Sequence, residues 1–249
     1  MIKNYLKIAW RNLFRNKAFS ITNLLGLIIG ITCTMLIMLW VKDELTYDKF
    51  HKNYDNIHQV IAFRDFKNEI MTDRNMAFPL SKALETGYPQ IKNSVVMTHQ
   101  QSHTLNYGNA QLKKDGYTVG GRFFDMFSFK TVKGNPAASI TDPTSIVLTQ
   151  STAKAFFGNE DPLGKVLKMD NERDFKVTAV IADPPGNSTM DFDYLLGFNY
   201  SDQRVQRDMN EWQNSSWNVF LQVEPGTNLA QLDKTITDVK RKNTANGDA

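Results

Sequence analysis

AFSITNLLGLIIGITCTMLIMLWV, residues 18–41, is a run of 24 residues without one charged side chain. As an α-helix this run would be roughly 36 Å long, at about 1.5 Å per residue. The hydrocarbon core of a bilayer is about 30 Å thick and takes about 20 apolar residues to cross. The polar members of the run are uncharged and can form hydrogen bonds within a helix or to a neighbouring one. The run therefore predicts one transmembrane helix over residues 18–41.

A cleaved signal peptide is the main alternative, because it also joins positive charge to an apolar segment. Its apolar region would be about 7–15 residues long and would end at a small-residue cleavage site. This run is longer and ends in LWVK at residues 39–42. Cys33 follows Thr32 inside the apolar run, where lipid attachment is not expected. We therefore expect an uncleaved anchor.

The first 17 residues form a basic arm without an acidic side chain. By the positive-inside rule the arm lies in the cytoplasm, and the chain beyond residue 42 lies outside. Apolar residues at i, i+3 and i+4 spacing predict an amphipathic helix that lies along the inner membrane interface. A plain extension of the membrane helix is the alternative. The expected interface residues are Lys3, Lys7, Trp10, Arg11, Arg15 and Lys17, with Trp40 near the other end of the span.

The charge balance argues against nucleic-acid binding. The chain has 29 basic and 26 acidic residues, and its mean hydropathy of −0.39 resembles that of an ordinary soluble protein. Five of the basic residues lie in the arm, which leaves 24 against 26 acidic residues and a net charge of −2 from residue 42 onward. A nucleic-acid-binding domain needs a basic patch on its folded surface. A single cysteine also excludes a disulfide scaffold.

Residues 42–249 are expected to form an α+β domain. Strand-like alternation appears at residues 57–63, 94–98, 145–148, 175–181 and 219–223, and hairpin turns are expected at residues 107–109 and 170–172. One helix should begin at Pro79 and end at Gly87, and another should run from a Thr149 cap to Gly158. A third should have Leu229, Leu232, Ile236 and Val239 on one face. Strands interleaved with helices indicate the mixed class.

No residue pattern in this domain supports catalysis, a cofactor or a metal. The loop at residues 158–165 (GNEDPLGK) has five residues between its glycines, and Val166 stands where a phosphate loop needs Ser or Thr. His99 and His103 lack a third ligand, so a zinc site is disfavoured. We expect His51 and His58 to be surface or capping residues. The acid pairs are expected to be turn or solvated-face residues: Asp43–Glu44, Glu160–Asp161 and Asp191/Asp193.

Several stretches, in order along nearly the whole chain, carry a family resemblance. They are residues 2–13 (IKNYLKIAWRNL), 23–30 (NLLGLIIG), 43–51 (DELTYDKFH), 123–129 (FFDMFSF), 147–149 (VLT), 157–158 (FG), 161–165 (DPLGK) and 183–188 (DPPGNS). Together they resemble the MacB/FtsX-like permeases of ABC transporters, especially those of Bacteroidetes-type bacteria. Two departures are Gly120, where an acidic residue is expected, and Thr189-Met190, where a histidine is usual. The motif residues that match are Tyr47, Asp48, Phe50, His51, Phe123, Phe124, Phe127, Phe157, Gly158, Asp161, Pro162, Gly164, Asp183, Pro184, Pro185 and Ser188.

The resemblance implies a non-enzymatic permease subunit of the bacterial inner membrane, with a MacB-like periplasmic core domain that transmits motion. It also implies an ABC ATPase as partner, a second permease copy or homologue, and a periplasmic partner protein. Such permeases serve export, lipoprotein extraction or control of cell-wall hydrolases. They have four membrane helices, so we expect this chain to be the N-terminal part of one, a truncated gene, a fragment or an expression segment. A single-pass sensor or binding module is the alternative, although only about 17 residues would lie inside.

Overall fold

The computed structural model describes residues 2–66 and 69–244, and the chain divides into two compact units, Met1–Tyr47 and Asp48–Ala249. The first unit contains two helices, α1 (Ile2–Arg15) and α2 (Lys17–Leu45). Helix α2 is 29 residues long and extends beyond the uncharged run at its C-terminal end, through Lys42, Asp43 and Glu44. Among the described residues, α2 is the one helix long and apolar enough to cross a bilayer, and none of its side chains is buried.

The second unit contains six helices and thirteen strands within the described residues, with the helices placed between groups of one to four strands. A short 3₁₀ turn, Tyr54–Asn56, precedes the first strand. The helices are α3 (Phe78–Gly87), α4 (Phe123–Met126), α5 (Pro136–Ser139), α6 (Gln150–Phe157), α7 (Gln203–Asp208) and α8 (Leu229–Asn243). The strands are β1 (Ile57–Gln59), β2 (Ala62–Phe66), β3 (Glu69–Asp73), β4 (Met76–Ala77), β5 (Ile91–Met97), β6 (Gln101–Tyr107), β7 (Ala110–Val119), β8 (Thr131–Gly134), β9 (Ser145–Thr149), β10 (Val166–Met169), β11 (Arg173–Ile181), β12 (Tyr194–Gly197) and β13 (Ser215–Val223).

The main sheet closes on itself. The order of its strands is β1-β13-β5-β7-β12-β9-β11-β10-β6. All seven residues of β6 also pair with β7, so the last strand of this order returns to the fourth. Strands β7, β12, β9, β11, β10 and β6 therefore form a closed ring, so none of the six has a free edge within it. Gly116 makes this closure possible on β7, because a Cβ there would lie 2.5 Å from the Tyr194 carbonyl oxygen.

Three clusters of buried apolar side chains hold the unit together. The first lies where α3 and α8 cover β5 and β13, and it includes Leu84, Val219 and Leu232. The second is rich in phenylalanine and surrounds α4. The third contains inward-facing side chains of the ring, such as Tyr194, together with Phe156 of α6. Helices and sheet thus share one continuous α+β body, as the alternating pattern predicts.

Local sequence signals explain the clearest element ends. The Thr149 hydroxyl accepts a hydrogen bond from Thr152 N at 3.4 Å, and Gly158 follows α6 with φ +61°. The predicted hairpins are also present, since Tyr107 pairs with Ala110 and Met169 pairs with Arg173. These are short-range effects of capping and turn residues.

One prediction of local structure is wrong. The strand expected at residues 57–63 is divided, because β1 pairs with β13 whereas β2 pairs with β3 in a separate two-stranded sheet. The last ladder bond of the first part runs from Val60 N to Val219 O at 2.9 Å. On α8, Leu232 and Val239 are buried and Ile236 is half-buried against the same cluster, whereas Leu229, the first residue of the helix, is 47% exposed.

Candidate functional site

Three motifs that are far apart in the sequence meet at the first residue of the second unit. We call this group the entry cluster: Asp48, Phe50, His51, Phe127, Ser128, Phe129 and Thr189. Asp48 comes from the TYDKFH segment, Phe127 follows α4, and Thr189 ends the loop that begins at Asp183. The cluster borders a cavity of about 200 Å³, which is also lined by Tyr54, Gln59 and Phe220.

Asp48 anchors the start of the unit to the loop at residues 183–189. Its backbone N–H donates to the Asn187 carbonyl at 2.9 Å. Its carboxylate accepts a hydrogen bond from Thr189 N at 2.8 Å and another from the Thr189 hydroxyl. Asp48 has φ +57°, a left-handed conformation that Asp tolerates better than most residues. The threonine that departs from the family pattern therefore contacts the motif aspartate directly.

His51 was expected to be a surface or capping residue. It is buried, with 5% of its surface exposed, so the surface position is wrong. Its ring packs edge-on against Phe127 and Phe129, with centroid distances of 5.3 and 5.2 Å, and lies 4.0 Å from the Phe50 ring. Nδ1 accepts a hydrogen bond from Ser128 N at 3.0 Å. The neutral ring must then carry its proton on Nε2, which has no partner among the described residues. The aromatic cluster around α4 encloses the ring, and the short motif could not reveal this.

Burial controls the protonation of His51. Removal of the imidazole from water lowers its pKa from 6.5 to about 4, although the nearby Asp48 carboxylate acts in the opposite direction. The ring is therefore uncharged at neutral pH. The entry cluster combines one charged anchor with an apolar, neutral interior, an arrangement suited to rigid attachment rather than to acid–base catalysis.

The phenylalanine motif supplies the wall of this cluster. Phe123 and Phe127 are almost fully buried, and Phe124 packs against the same group. The Phe123 ring stacks parallel to Phe129, with centroids 5.9 Å apart. Ser188 is buried, and its hydroxyl donates to the Met190 carbonyl at 3.0 Å. In the same loop, Pro184 is half-buried and Pro185 is exposed.

The remaining motif residues surround α6 and not the entry cluster. Asp183 accepts a hydrogen bond from Ser151 N in the first turn of α6 at 3.0 Å, and Phe157 at the other end contacts Tyr107 with ring centroids 4.8 Å apart. Beyond Gly158, the chain turns at residues 162–165: Lys165 N donates to the Pro162 carbonyl at 3.2 Å, and Gly164 has φ +81°. Asp161 is exposed and pairs with Lys133 at 3.1 Å.

Backbone N–H groups of the loop at residues 158–165 donate hydrogen bonds to other groups of the chain. Gly164 N donates to the Val177 carbonyl at 2.8 Å, and Leu163 N donates to the Asp161 carboxylate at 3.2 Å. The Lys165 ammonium pairs with Glu160 and lies 5.6 Å from the centre of the Tyr107 ring. These N–H groups do not converge on a common point as a phosphate cradle requires.

His99 and His103 have separate polar partners. His99 Nε2 lies 2.5 Å from Asn75 Oδ1, and His103 Nδ1 lies 2.5 Å from Asp170 Oδ2. Within residues 2–66 and 69–244, no group of three or more histidine, cysteine or acidic side chains is arranged to hold a metal. His58 lies in β1 and is half-buried.

Asp193 is a residue whose role the sequence pattern does not reveal. It is not the solvated-face residue that was expected, because its carboxylate accepts from Lys114 Nζ at 2.9 Å, Asp115 N at 3.0 Å and the Thr152 hydroxyl at 3.0 Å. Burial would raise its pKa, but these hydrogen bonds prevail and hold the pKa below the usual value. Its neighbour Asp191 is exposed. No local signal separates the two carboxylates.

The expected interface residues lie on the first unit. Lys7, Arg11, Arg15 and Lys17 are exposed, and Trp10 and Trp40 are each 66% exposed. The Trp10 ring contacts Phe14 with centroids 5.3 Å apart. The side chain of Lys3 lies outside the described residues. Tyr47 ends the unit, and its N–H donates to the Glu44 carbonyl at 3.4 Å.

Comparison with known proteins identifies the second unit and α2 together. Residues 20–239 match the MacB-like periplasmic core domain. The macrolide export ATP-binding/permease protein MacB of Aggregatibacter actinomycetemcomitans is 28% identical over 188 residues, which is 70% of this chain and 28% of that relative. The chain thus spans little more than a quarter of that relative's length.

Solved structures share the fold. A domain of a protein described as a permease from Porphyromonas gingivalis superposes with TM-score 0.67 at 20% identity, covering 77% of this chain and 82% of that one. The periplasmic region of MacB from Actinobacillus actinomycetemcomitans gives TM-score 0.53 at 20% identity, with coverages of 75% and 83%. The extracellular domain of the ABC-type transporter YknZ from Gram-positive bacteria gives 0.55 at 15% identity, with coverages of 78% and 97%. The match over residues 20–239 covers most of the chain, which therefore belongs to the family of the MacB-like periplasmic core domain.

Proposed function

We propose that this chain is a permease subunit, or the N-terminal part of one, of a MacB/FtsX-like ABC transporter. The observation that carries this proposal is the single family match over residues 20–239, which includes most of α2 as well as the core domain. Such a subunit leaves ATP hydrolysis to a separate ATPase and works beside a second permease copy or homologue. Its task is export, lipoprotein extraction or control of a cell-wall hydrolase, with a periplasmic protein as a further partner.

The proposed organisation has three parts. Residues 1–17 form the interfacial arm, residues 18–41 cross the bacterial inner membrane, and residues 42–249 form the periplasmic domain. Lys7, Arg11 and Arg15 would contact anionic lipid headgroups, and Trp10 would lie at the boundary of the apolar layer. The cytoplasmic position of the N-terminus rests on the five basic residues of the arm.

Reporter fusions test this orientation. A reporter that is active only in the periplasm should be active when fused after Thr46 and silent when fused at the N-terminus. Activity only at the N-terminus would place the core domain in the cytoplasm and overturn its periplasmic assignment.

The entry cluster is the proposed point at which movement passes into the core domain. ATP-driven changes in the membrane helices would act on Asp48, the first residue of the second unit. The hydrogen bond that Asp48 N–H donates to the Asn187 carbonyl, and those that its carboxylate accepts from Thr189, would carry the displacement to this loop, since Thr189 lies 141 residues away in sequence. The buried ring of His51 would keep the segment that follows Asp48 attached to the core, because the ring packs against Phe127 and accepts a hydrogen bond from Ser128 N.

Purification from native membranes tests the transporter assignment. A tag on the chromosomal gene should recover an ABC ATPase together with this chain. Recovery of a cytoplasmic signalling protein without any ATPase would favour the alternative of a single-pass sensor. The chain alone should bind no ATP, and saturable ATP turnover that Lys165→Ala abolishes would contradict the non-enzymatic role.

Hydrogen exchange tests the role of the entry cluster in that purified complex. Addition of ATP should change the exchange of residues 183–190 in the unmodified complex. Asp48→Ala should reduce this change, because it removes the acceptor for Thr189. Asp55→Ala is the matched control, since Asp55 is exposed on the nearby 3₁₀ turn. Equal responses in both variants would show that Asp48 does not transmit the movement.

A further inference from the structure

A second, larger cavity lies at one end of the strand ring. Its volume is about 760 Å³, within the range of about 300–1,000 Å³ that is typical of small-molecule sites. The lining residues Thr118 and Leu196 come from the C-terminal ends of β7 and β12, whereas Gln101 and Arg173 come from the N-terminal ends of β6 and β11. Strand directions place all four ends at the same mouth of the ring. Mouths of β-barrels are common ligand sites.

Two arginines line this cavity, and neither has a carboxylate at short hydrogen-bonding distance within the described residues. Arg173 has no carboxylate within 4.0 Å among the described residues, although Asp170 is near enough to interact with it electrostatically. One guanidinium N–H faces Met169 Sδ at 4.0 Å, and the group lies 5.6 Å from the centre of the Phe175 ring. The Arg204 Nε atom lies 4.0 Å from Asp208 Oδ2, at the limit of an ion pair. Guanidinium groups with unused N–H donors are suited to carboxylates and phosphates.

The acidic residues of the lining are already engaged. Asp174 pairs with Lys168 at 3.6 Å. The Asp202 carboxylate accepts from the N–H groups of Arg204 and Val205 at 2.8 and 3.3 Å. Both bonds go to Oδ1 and come from backbone groups, so Asp202 keeps its negative charge. Two guanidinium groups therefore line the cavity beside one carboxylate that has no cationic side chain within 4.0 Å in the described part of the chain.

The indole N–H of Trp217 is a second, independent indication that the cavity holds a hydrogen-bond acceptor. It lines the cavity and is 5% exposed, yet its indole Nε1–H has no acceptor among the described residues. A buried donor of this kind is costly unless a ligand or water accepts its hydrogen bond. The Trp217 ring packs against Phe198 with centroids 5.5 Å apart, so an apolar surface accompanies the donor.

We propose that this cavity binds a small organic anion, a carboxylate or phosphate that carries an aromatic or aliphatic body. The guanidinium groups of Arg173 and Arg204 would hold the anion, and Trp217, Phe198 and Phe175 would pack against the body. This site lies in the second unit, is separate from the entry cluster, and does not depend on the transporter assignment.

Ligand-observed NMR on the full chain in a non-ionic detergent tests the proposal. The probes are phenylacetate and phenyl phosphate, with phenethylamine as the cation of similar shape and inorganic phosphate as the anion without a body. At least one aromatic anion should bind saturably, with a Kd of about 1 mM or tighter. Phenethylamine should not compete, and inorganic phosphate should bind more weakly than phenyl phosphate.

Variants connect the binding to the named residues. Arg173→Gln and Arg204→Gln should each weaken the aromatic anion at least about fivefold, through loss of a charge-assisted hydrogen bond. Trp217→Phe should weaken it while keeping an aromatic wall. Arg74→Gln is the control, because Arg74 is exposed and does not line the cavity.

Thermal melting identifies any variant that fails to fold. No saturable binding of either anion, equal binding of the cation, or unchanged affinity in folded arginine variants would overturn the proposal.

Discussion

The imidazole of His51 is enclosed by Phe50, Phe127 and Phe129, and it makes stability depend on pH. Burial lowers its pKa to about 4 in the folded chain, against 6.5 when unfolded. Between these values the unfolded chain binds more protons, so the free energy of unfolding decreases as the pH falls from 6.5 to 4. The stabilisation is complete above pH 6.5. The loss should be on the order of 3 kcal/mol, because each pKa unit corresponds to about 1.4 kcal/mol.

Denaturant unfolding of the full chain at pH 7, 5.5 and 4 measures this loss. His51→Asn should keep an acceptor for Ser128 N but remove the titrating ring, so its stability should change less over the same interval. A variant with the same pH dependence as the unmodified chain would assign the titration to another group.

Asp193 should be far more important for stability than its neighbour Asp191. Asp193→Ala leaves Lys114 without its carboxylate partner and removes the acceptors of Asp115 N and the Thr152 hydroxyl. We expect a loss of about 2–3 kcal/mol, typical of unsatisfied groups at a partly buried site. Asp191→Ala should change the free energy of unfolding by less than about 0.5 kcal/mol, as surface substitutions usually do. Similar losses from both would contradict this account.

At the scale of elements, Gly108 and Gly134 both have positive φ, but a Cβ would collide with a neighbouring strand only at Gly134. Comparing their alanine variants therefore distinguishes the cost of backbone strain from the cost of steric overlap. Gly134 ends β8 with φ +73°, and a Cβ there would lie 2.1 Å from the Thr178 carbonyl oxygen on β11. Gly108 has φ +55° in the β6–β7 hairpin, and a Cβ there would meet nothing within 4 Å. Gly108→Ala should therefore cost only the left-handed penalty of about 1–2 kcal/mol. Gly134→Ala should cost about 2–5 kcal/mol, because overpacking adds to that penalty.

Chemical denaturation of the two glycine variants gives the comparison directly. Circular dichroism before denaturation shows whether each variant reaches the native fold. Equal costs would mean that β8 can move away from β11 at no expense.

At the scale of the whole molecule, residues 48–244 should fold without α2. This unit has three buried apolar clusters, and its described residues include no helix suited to crossing a membrane. A domain of about 200 residues buries enough apolar surface to offset chain entropy without disulfides. Expressed alone, it should be soluble and monomeric, should melt cooperatively, and should be unaffected by a chelator. A segment that requires detergent would show that the core is completed by membrane helices or a partner.

Much of the local structure could be predicted from the sequence, because it depends on neighbouring residues. Each of these signals determines the conformation of residues close to it in sequence. Examples are the uncharged run at residues 18–41, the Thr149 cap, and the turns at Gly108 and Asp170. The same signals missed the division of the strand at residues 57–63, because its cause is the pairing of β1 with β13.

The sequence alone determined that this chain has an apolar helix at residues 18–41 followed by an α+β domain, and its ordered motifs indicated the family. Only the tertiary structure decided that His51 is buried, that Asp48 holds Thr189, and that Asp193 binds Lys114. It also decided that the six strands close into a ring with a cavity at its mouth. The reason is separation along the chain: Asp193 and Lys114 are 79 residues apart, and Asp48 and Thr189 are 141 apart. Contacts of this range depend on how the elements pack together and leave no periodic or local trace in the sequence.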